Sequence, residues 1–363
     1  MYPRTEMSPA YRTAVSPMYP NGMSTVNPDM AAASPAERAM WARVSNGNDN
    51  NGRDRVGWAR EFWDRIDRAV HDEMCRVGIG RQFLPLVPAA DATTVPADRI
   101  TEIRESESAS AVLSVDEAAV TAVIEIWVEF ALTKQQIQAE EALQTAVTLG
   151  TRAANLLIQG EDLLLFQGDT LARQDPLFTD HRIQTRAGPG PGGLANVRNT
   201  VPAVDPPLRT IEVPFARGDT YGENTFAAVA AAYSELQAKG HYGPYALVLP
   251  TKAYADAFAP LENTLILTAD RLLPLVEGRL YGTGTVPEDI EVDSSEPEDS
   301  PKRKDVGVLL SLGGNTLDLA FGKAATTEFL QEDGQGLSRF RVYERFALRD
   351  KDTTGRVALL FER

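Results

Sequence analysis

The chain carries few of the groups that enzymes use. Histidine, the usual general base and metal ligand, occurs three times in the 363 residues, as His71, His181 and His241. These fall in an amphipathic helical pattern, a loop and a Gly-rich turn, and no two of them stand at i, i+4. No HExxH, nucleophile elbow or Walker motif is present. A Ser/His/Asp triad can assemble from distant positions, since such triads are set by geometry and not by order. Cys75 with a distant histidine is a second route, and no local motif supports either. No catalytic residue, cofactor or metal ligand is assigned.

Two further stretches hold candidate ligand chemistry. Glu288 to Asp305 places Asp289, Glu291, Asp293, Glu296, Glu298 and Asp299 ahead of Lys302-Arg303-Lys304. Hard cations take oxygen ligands, but no glycine orders these carboxylates and prolines interrupt them. Charge runs of this kind make solvated loops. Gly188-Pro-Gly-Pro-Gly-Gly193 has the glycines of a phosphate loop, yet its alternating prolines remove the backbone N–H donors that such a loop needs. With Pro206-Pro207 it marks residues 186–208 as irregular.

Composition narrows the function classes. A hydrophobic content of 43% in a chain of this length supports a large core. The 51 acidic against 36 basic side chains give a formal charge of −15, which repels phosphate backbones and argues against nucleic acid as a partner. Cys75 is the only cysteine, so no intrachain disulfide forms. No apolar run approaches the ~20 residues of a membrane helix, and the start lacks the pattern of a signal peptide. The expectation is a cytoplasmic protein with no membrane partner.

The positioning elements follow from periodicity. Ala122, Ile124, Ile126, Val128, Phe130 and Leu132 alternate with Val123, Glu125, Trp127 and Glu129, which predicts a half-buried strand. Phe340, Val342, Phe346 and Leu348 predict another within Val306 to Arg363, its apolar face broken only by Glu344. Its other face carries Arg341, Tyr343, Arg345 and Arg349. Trp63, Ile66, Val70, Met74 and Val77 recur at helical spacing within Arg55 to Gly78. A long helix is predicted over Gln135 to Phe166, with Leu143, Val147, Ala154 and Leu157 on one face. Phe226 to Lys239 and Thr251 to Phe258 read as helices around a buried strand at Tyr245 to Leu249. Pro85 to Ser114 reads as an extended excursion. Residues 1 to about 54 are rich in Pro, Ser, Ala and Asn, hold six of the seven methionines and read as a flexible arm. Within the arm, Ser34-Pro35-Ala36-Glu37 has the form of a capping box.

Several ordered motifs then meet a family. Trp63-x-x-Ile66-Asp67 is followed by Gly80-Arg81 seventeen residues beyond the tryptophan. Next come Glu161-Asp162-Leu163 with Phe166-Gln167-Gly168-Asp169, and Gly240-His-Tyr-Gly-Pro-Tyr-Ala-Leu-Val-Leu249. Gly307-Val-Leu-Leu-Ser311, Leu317-Asp-Leu-Ala-Phe-Gly322 and a closing strand at Arg339 to Arg349 complete the set. Over about Trp63 to Phe361 the chain resembles encapsulin shell proteins.

The resemblance implies an α+β chain with the Hong Kong 97 phage-capsid-like fold: peripheral domain, extended loop and axial domain. In this chain the arm would take 1–54, the N-terminal helix of the peripheral domain 55–84 and the extended loop 85–121. The peripheral strand and spine helix would take 122–174, the axial domain with the Gly/Pro-rich insertion 175–305, and the C-terminal peripheral strands 306–363. The implied function is a self-assembling icosahedral nanocompartment shell of ~60 or more copies, since closed point-group symmetry reuses identical surfaces. It would enclose a cargo enzyme for oxidative-stress or iron-related chemistry, with pores admitting small molecules.

The implied partner is a cargo protein bearing a C-terminal targeting peptide, a dye-decolourising peroxidase or a ferritin-like protein. Its peptide would dock in an apolar groove of Ile66, Val70, Met74, Ile79, Phe83, Val342 and Phe346. The pore loop would fall at Glu262, Asn263 and Thr264. Two departures stand out: Leu84-Pro85-Leu86 replaces the acidic residue that family members place after Gly-Arg, and the arm before Trp63 is unusually long. The alternative is a bacteriophage major capsid protein packaging DNA, which shares the fold; a hydrolase is the third reading.

Overall fold

The computed structural model describes residues 51–89, 93–103, 111–186, 192–197, 208–261, 264–292 and 302–363. The arm before residue 51 with its Ser34 capping box, most of the Gly/Pro-rich run, residues 293–301 of the acidic stretch, and Glu262 and Asn263 lie outside the described residues.

The first long element is helix α1, Arg60–Val77, whose Trp63, Ile66, Val70 and Met74 are buried as their spacing predicts. It stops at Gly78, whose N–H still bonds the Met74 carbonyl. Glycine is required there because a Cβ would lie 2.6 Å from the Ile158 side chain. One short turn, α2, Gly80–Phe83, follows.

The predicted excursion is strand-rich. Strand β1, Leu86–Pro88, runs parallel to β13 (Leu317–Glu332) further down the chain. Strands β2, Thr94–Pro96, and β5, Val120–Ala122, form one two-stranded ribbon, and β3, Arg99–Ile103, with β4, Val112–Asp116, forms another.

Strand β6, Ile124–Thr133, ends in a capping box: Thr133 accepts the Gln136 N–H and opens helix α3, Lys134–Gln138. The continuous helix predicted over Gln135 to Phe166 is interrupted. A four-residue helix α4, Glu140–Leu143, is separated from the spine helix α5, Thr145–Gln167, by Gln144 in the left-handed region at φ 50°. The break has a physical cause in Glu140, whose buried carboxylate accepts the N–H groups of Ala146 (2.8 Å) and Val147 (3.4 Å). That satisfies amides and meets the positive end of the α5 dipole. Leu143, expected on the buried face, is consequently exposed.

Short helices α6, Asp169–Ala172, and α7, Pro176–Thr179, lead to β7, Gln184–Arg186. The first sheet runs β1-β13-β14-β6-β7, with β14 at Leu337–Asp350. Strands β14 and β6 are antiparallel neighbours in the register Phe340 to Phe130 and Val342 to Val128. Helices α1 and α5 pack together and cover one face of this sheet.

The second sheet runs β10-β9-β12-β15-β8, with β11 beside β12. Its strands are β8 (Arg209–Val213), β9 (Tyr245–Pro250), β10 (Leu280–Thr283), β11 (Ile290–Val292), β12 (Lys302–Ser311) and β15 (Arg356–Glu362). Helices α8, Glu223–Ala238, α9, Thr251–Ala257, and α10, Thr268–Leu272, accompany it. Val306–Ser311 and Arg356–Glu362, expected with the peripheral strands, thus pair with each other and with β8 and β9 in this second sheet; only β13 and β14 of the 306–363 segment join the first. Strands β9 and β15 are buried on both faces, which explains why they read as unbroken apolar runs. The architecture is α+β.

Candidate docking cleft and buried charged node

Six of the seven residues nominated for a groove lie in the core: Ile66, Val70, Met74, Phe83, Val342 and Phe346. Ile66 and Val70 lie against Gly150 of α5, where a Cβ would stand 3.2 Å and 3.6 Å from their methyl groups. Phe83 packs against Phe166 and Tyr281, and Phe346 against Phe321. Ile79 alone is partly exposed. The apolar stripe of α1 is consumed by the fold, because burying it against α5 and β14 is what fixes the helix at all. Six of the seven are thus enclosed in the protomer core, and Ile79 alone reaches its surface.

The opening lies one position away. Phe62, next to buried Trp63, is half-buried and borders a cleft of about 480 Å³ between the start of α1, helices α3 and α4, and the end of β13. Its apolar lining is Val56, Trp58, Ala59, Phe62, Ile137 and Phe329; Arg55, Lys134, Glu141 and Glu332 stand at its edges. Trp58 donates its indole N–H to the Ile137 carbonyl at 3.0 Å and stacks on Phe340 at 5.5 Å. It also meets Trp63 edge-on at 5.0 Å, and Phe329 meets Phe340 edge-on at 5.5 Å.

The segment before α1 is strapped to β13. Arg53 donates to both carboxylate oxygens of Asp67, at 2.9 Å and 2.7 Å, and to the Thr327 carbonyl, while Asp67 accepts the Thr327 N–H. Burial raises the Asp67 carboxyl above its ordinary range against the opposing pull of Arg53. Gly52, at φ 67°, touches the Phe329 carbonyl so closely that a Cβ would lie 2.5 Å from its oxygen. Such a cleft, with an apolar floor, a mixed-charge rim and a firmly held wall, is suited to an extended peptide with apolar anchors. Sequence periodicity missed it because Trp58, Ile137 and Phe329 belong to three separate elements; the one available signal was a second tryptophan just ahead of the α1 pattern.

At the other end of α1 lies a buried charged node. Arg81 of α2 forms a two-pronged ion pair with Glu161 of α5, and its Nη2 also reaches Glu344 of β14. The guanidinium lies over the Phe321 ring at 4.9 Å. Burial opposes its charge, and the fields of Glu161 and Glu344 outweigh that, so Arg81 is held above its ordinary range. Asp162 beside it accepts the Ile79 and Gly80 N–H groups, each at 2.9 Å. Burial, with the charge of Glu161 adding, pushes its carboxyl up to about 7 against those two bonds.

The candidate chemistry of the histidines does not assemble. Cys75 lies 3.5 Å from the His71 ring nitrogen, but burial pushes the thiol up to about 11, which removes the thiolate that a nucleophile needs. His241 contacts the Thr354 hydroxyl at 2.7 Å, and that hydroxyl is within 2.6 Å of Asp352, tying the turn before β9 to the turn after β14. His181 is exposed in its loop. Among the described residues no three His, Cys, Asp or Glu groups gather as a metal site, and no helix is long and apolar enough to cross a membrane. Of the expected pore loop, Thr264 is described; it bonds back to the Leu261 carbonyl and precedes Leu265, which is 93% exposed.

The chain matches the family described as "Encapsulating protein for peroxidase" over residues 48–183 and 209–347. It is 26% identical to the type 1 encapsulin shell protein EncA of Myxococcus xanthus (strain DK1622), over 80% of this chain and 89% of that protein. It is 25% identical to the diheme-cytochrome-encapsulin shell fusion protein of Kuenenia stuttgartiensis, over 80% of this chain and 70% of that one. Among solved structures, a virus-like particle from Pyrococcus furiosus superposes with a TM-score of 0.56 at 15% identity, covering 82% of this chain and 99% of the other. The capsid of an empty GTA particle reaches 0.50 at 14% identity, over 79% and 90%. The fold is that of the Hong Kong 97-like capsids, and the matched segments span well over half the chain: this protein belongs to the encapsulating-protein family and is a shell-forming subunit of the encapsulin type.

Proposed function

We propose that the chain closes into an icosahedral nanocompartment that encloses a cargo enzyme. The β3–β4 ribbon carries this reading. Ile103, Val112, Leu113 and Val115 are exposed on it, with Val120 exposed nearby, and an isolated two-stranded ribbon is marginal in water. A neighbouring copy is the natural cover for so apolar an arm, and closed symmetry supplies that cover to every copy at once.

The cargo reading rests on the family description together with the cleft. A C-terminal targeting peptide of a dye-decolourising peroxidase or a ferritin-like protein lays apolar anchors on Trp58, Phe62, Ile137 and Phe329, with the nominated stripe from Ile66 to Phe83 as the support behind. Many weak copies of this contact, confined in one shell, raise the effective concentration of cargo. The Glu262, Asn263 and Thr264 loop lines a pore at a symmetry axis, where a carboxylate ring concentrates small cations. The shell itself performs no chemistry, and its place is the cytoplasm.

Negative-stain microscopy of the purified chain, with mass spectrometry of what it retains from its native cell, tests all of this. Uniform hollow particles with a protein passenger support the compartment. Particles filled with DNA would favour the phage reading, and a monomer would end the shell reading.

A further inference from the structure

At the buried node at the end of α1 two carboxylates, Glu161 and Glu344, converge on a single cation, Arg81. Arg81 gives Glu161 the two-pronged contact, through Nε to both oxygens at 2.9 Å and 3.1 Å and through Nη2. Glu344 receives the remaining Nη2 contact on Oε2 only. Its Oε1 is buried with no hydrogen-bond partner among the described residues. The side chains of all three are at most 2% exposed, so water does not screen the pair. Two ionised carboxylates on one guanidinium nitrogen, out of water, repel each other and leave a buried net negative charge. An apolar environment keeps one carboxyl of such a pair neutral.

We propose that Glu344 is a neutral carboxylic acid, held toward Glu161 by a shared proton, and that this proton latches α2 and the spine helix onto β14. Glu344 is the member of the pair that carries it, because Glu161 takes the fuller contact with Arg81. Burial, with the charge of Glu161 acting against the pull of Arg81, raises the Glu344 carboxyl well above its ordinary range.

The groups facing the node from each packed element leave this assignment intact. From α1, Cys75 is a neutral thiol at neutral pH and His71 is held neutral by burial and by the charge of Arg81. Glu73 of α1 is engaged by Arg76 and Asn155. From α5, Asp162 is bonded to the two backbone N–H groups of Ile79 and Gly80 and supplies no cation. From β13 the Phe321 ring lies against Arg81 and adds no formal charge.

The sign of the pH effect follows. A folded-state carboxyl raised above its unfolded value contributes stability that is complete below the ordinary glutamate range and is lost as pH rises through the raised value. The latch is closed in neutral and acid solution and opens on the alkaline side.

The test uses the full chain and two isosteric variants, and each readout is independent of whether the protein forms a shell. On an Asp162→Asn background, which removes the neighbouring carboxyl at about 7, difference infrared spectroscopy shows a protonated-carboxyl C=O component at neutral pH, and Glu344→Gln removes it. Glu161→Gln removes it as well, because Glu344 then ionises as the sole partner of Arg81. On the same background the thermal midpoint falls between neutral and alkaline pH by more with Glu344 present than with Glu344→Gln, and hydrogen exchange at Gly80 to Leu84 speeds up over that range only with Glu344 present. Glu344→Ala, which leaves a hole, lowers the midpoint at every pH and separates lost packing from lost titration. On the Asp162→Asn background, absence of the component, its survival in Glu344→Gln, or parallel pH profiles with and without Glu344→Gln would overturn the proposal.

Discussion

Arg81 and Glu344 stand 263 positions apart and meet in a buried hydrogen bond from Nη2, so the end of the N-terminal helical segment is tied directly to the middle of β14. The same guanidinium holds Glu161, and three elements therefore depend on one side chain. Removing one partner of a buried ion pair leaves an uncompensated charge and costs about 3–5 kcal/mol. Arg81→Ala is expected at the upper end of that range, because Glu161 loses its cation and Glu344 its hydrogen-bond donor together. Arg81→Lys is expected to recover only part of it, since an ammonium cannot reproduce the two-pronged contact. Urea unfolding of the two variants checks both statements; equal stability of Arg81→Lys and wild type would show that charge alone suffices.

Asp162 predicts a pH dependence on the acid side of neutrality. Burial, helped by the charge of Glu161, raises its carboxyl to about 7 although the Ile79 and Gly80 N–H groups oppose the shift. Because the folded value lies above the unfolded one, its contribution is complete below the ordinary aspartate range and is lost progressively as pH rises through about 7. Asp162→Asn keeps one acceptor and turns its amide toward the other N–H, so the variant is less stable than wild type throughout. Its stability is also flatter than wild type between the ordinary aspartate range and about pH 7. Thermal melts across that range check both features.

The β3–β4 ribbon separates assembly from folding. Leu113 is 75% exposed and contributes little to the core of its own protomer. Surface changes away from special features alter stability by about 0.5 kcal/mol or less. Leu113→Lys with Val112→Lys is therefore expected to leave the midpoint of the dissociated protomer within a degree or two, an effect consistent with about 0.5 kcal/mol or less. Assembly is expected to fail, since each copy loses an apolar anchor in every contact. Size-exclusion chromatography with light scattering reads the assembly; wild-type particles from the double variant would remove the ribbon from the interface.

The relation of sequence to structure is clearest at Glu344. Period-two alternation identified β14 and marked Glu344 as the one polar intrusion on its apolar face, and helical spacing identified α1. Gly80-Arg81 and Glu161-Asp162 were visible as motifs. Their convergence was not, because a pairing across 263 residues leaves no local trace. The same limit explains the groove. Periodicity reports which residues are apolar, and the strongest pattern belongs to the residues that the core takes first, so Ile66, Val70 and Met74 went inside. It also hid the division of the C-terminal strands, since β12 and β15 are buried on both faces and show no alternation to assign them. The break at Gln144 depended on a carboxylate, Glu140, folding back onto α5, which no propensity encodes.

Phe62 and Trp58 separate docking from packing within the same cleft. Phe62 is half-buried at the cleft edge, whereas Trp58 bonds the Ile137 carbonyl at 3.0 Å and stacks on Phe340 at 5.5 Å. Truncating a large aromatic in a core costs about 3–5 kcal/mol, and Trp58, only partly buried, is expected below that range but well above Phe62. Docking inverts the order of clean effects. A peptide anchored on an exposed aromatic loses about 2 kcal/mol or more when that anchor is truncated, about a thirtyfold weakening at 1.4 kcal/mol per factor of ten. Phe62→Ala is therefore expected to form normal particles with a normal midpoint while retaining far less cargo. Trp58→Ala loses both cargo and stability. Gel densitometry of co-purified cargo per shell, measured beside the thermal midpoint, reads the two effects separately. Full loading of Phe62→Ala would move the docking surface off this cleft, because no other half-buried aromatic stands at its mouth on α1.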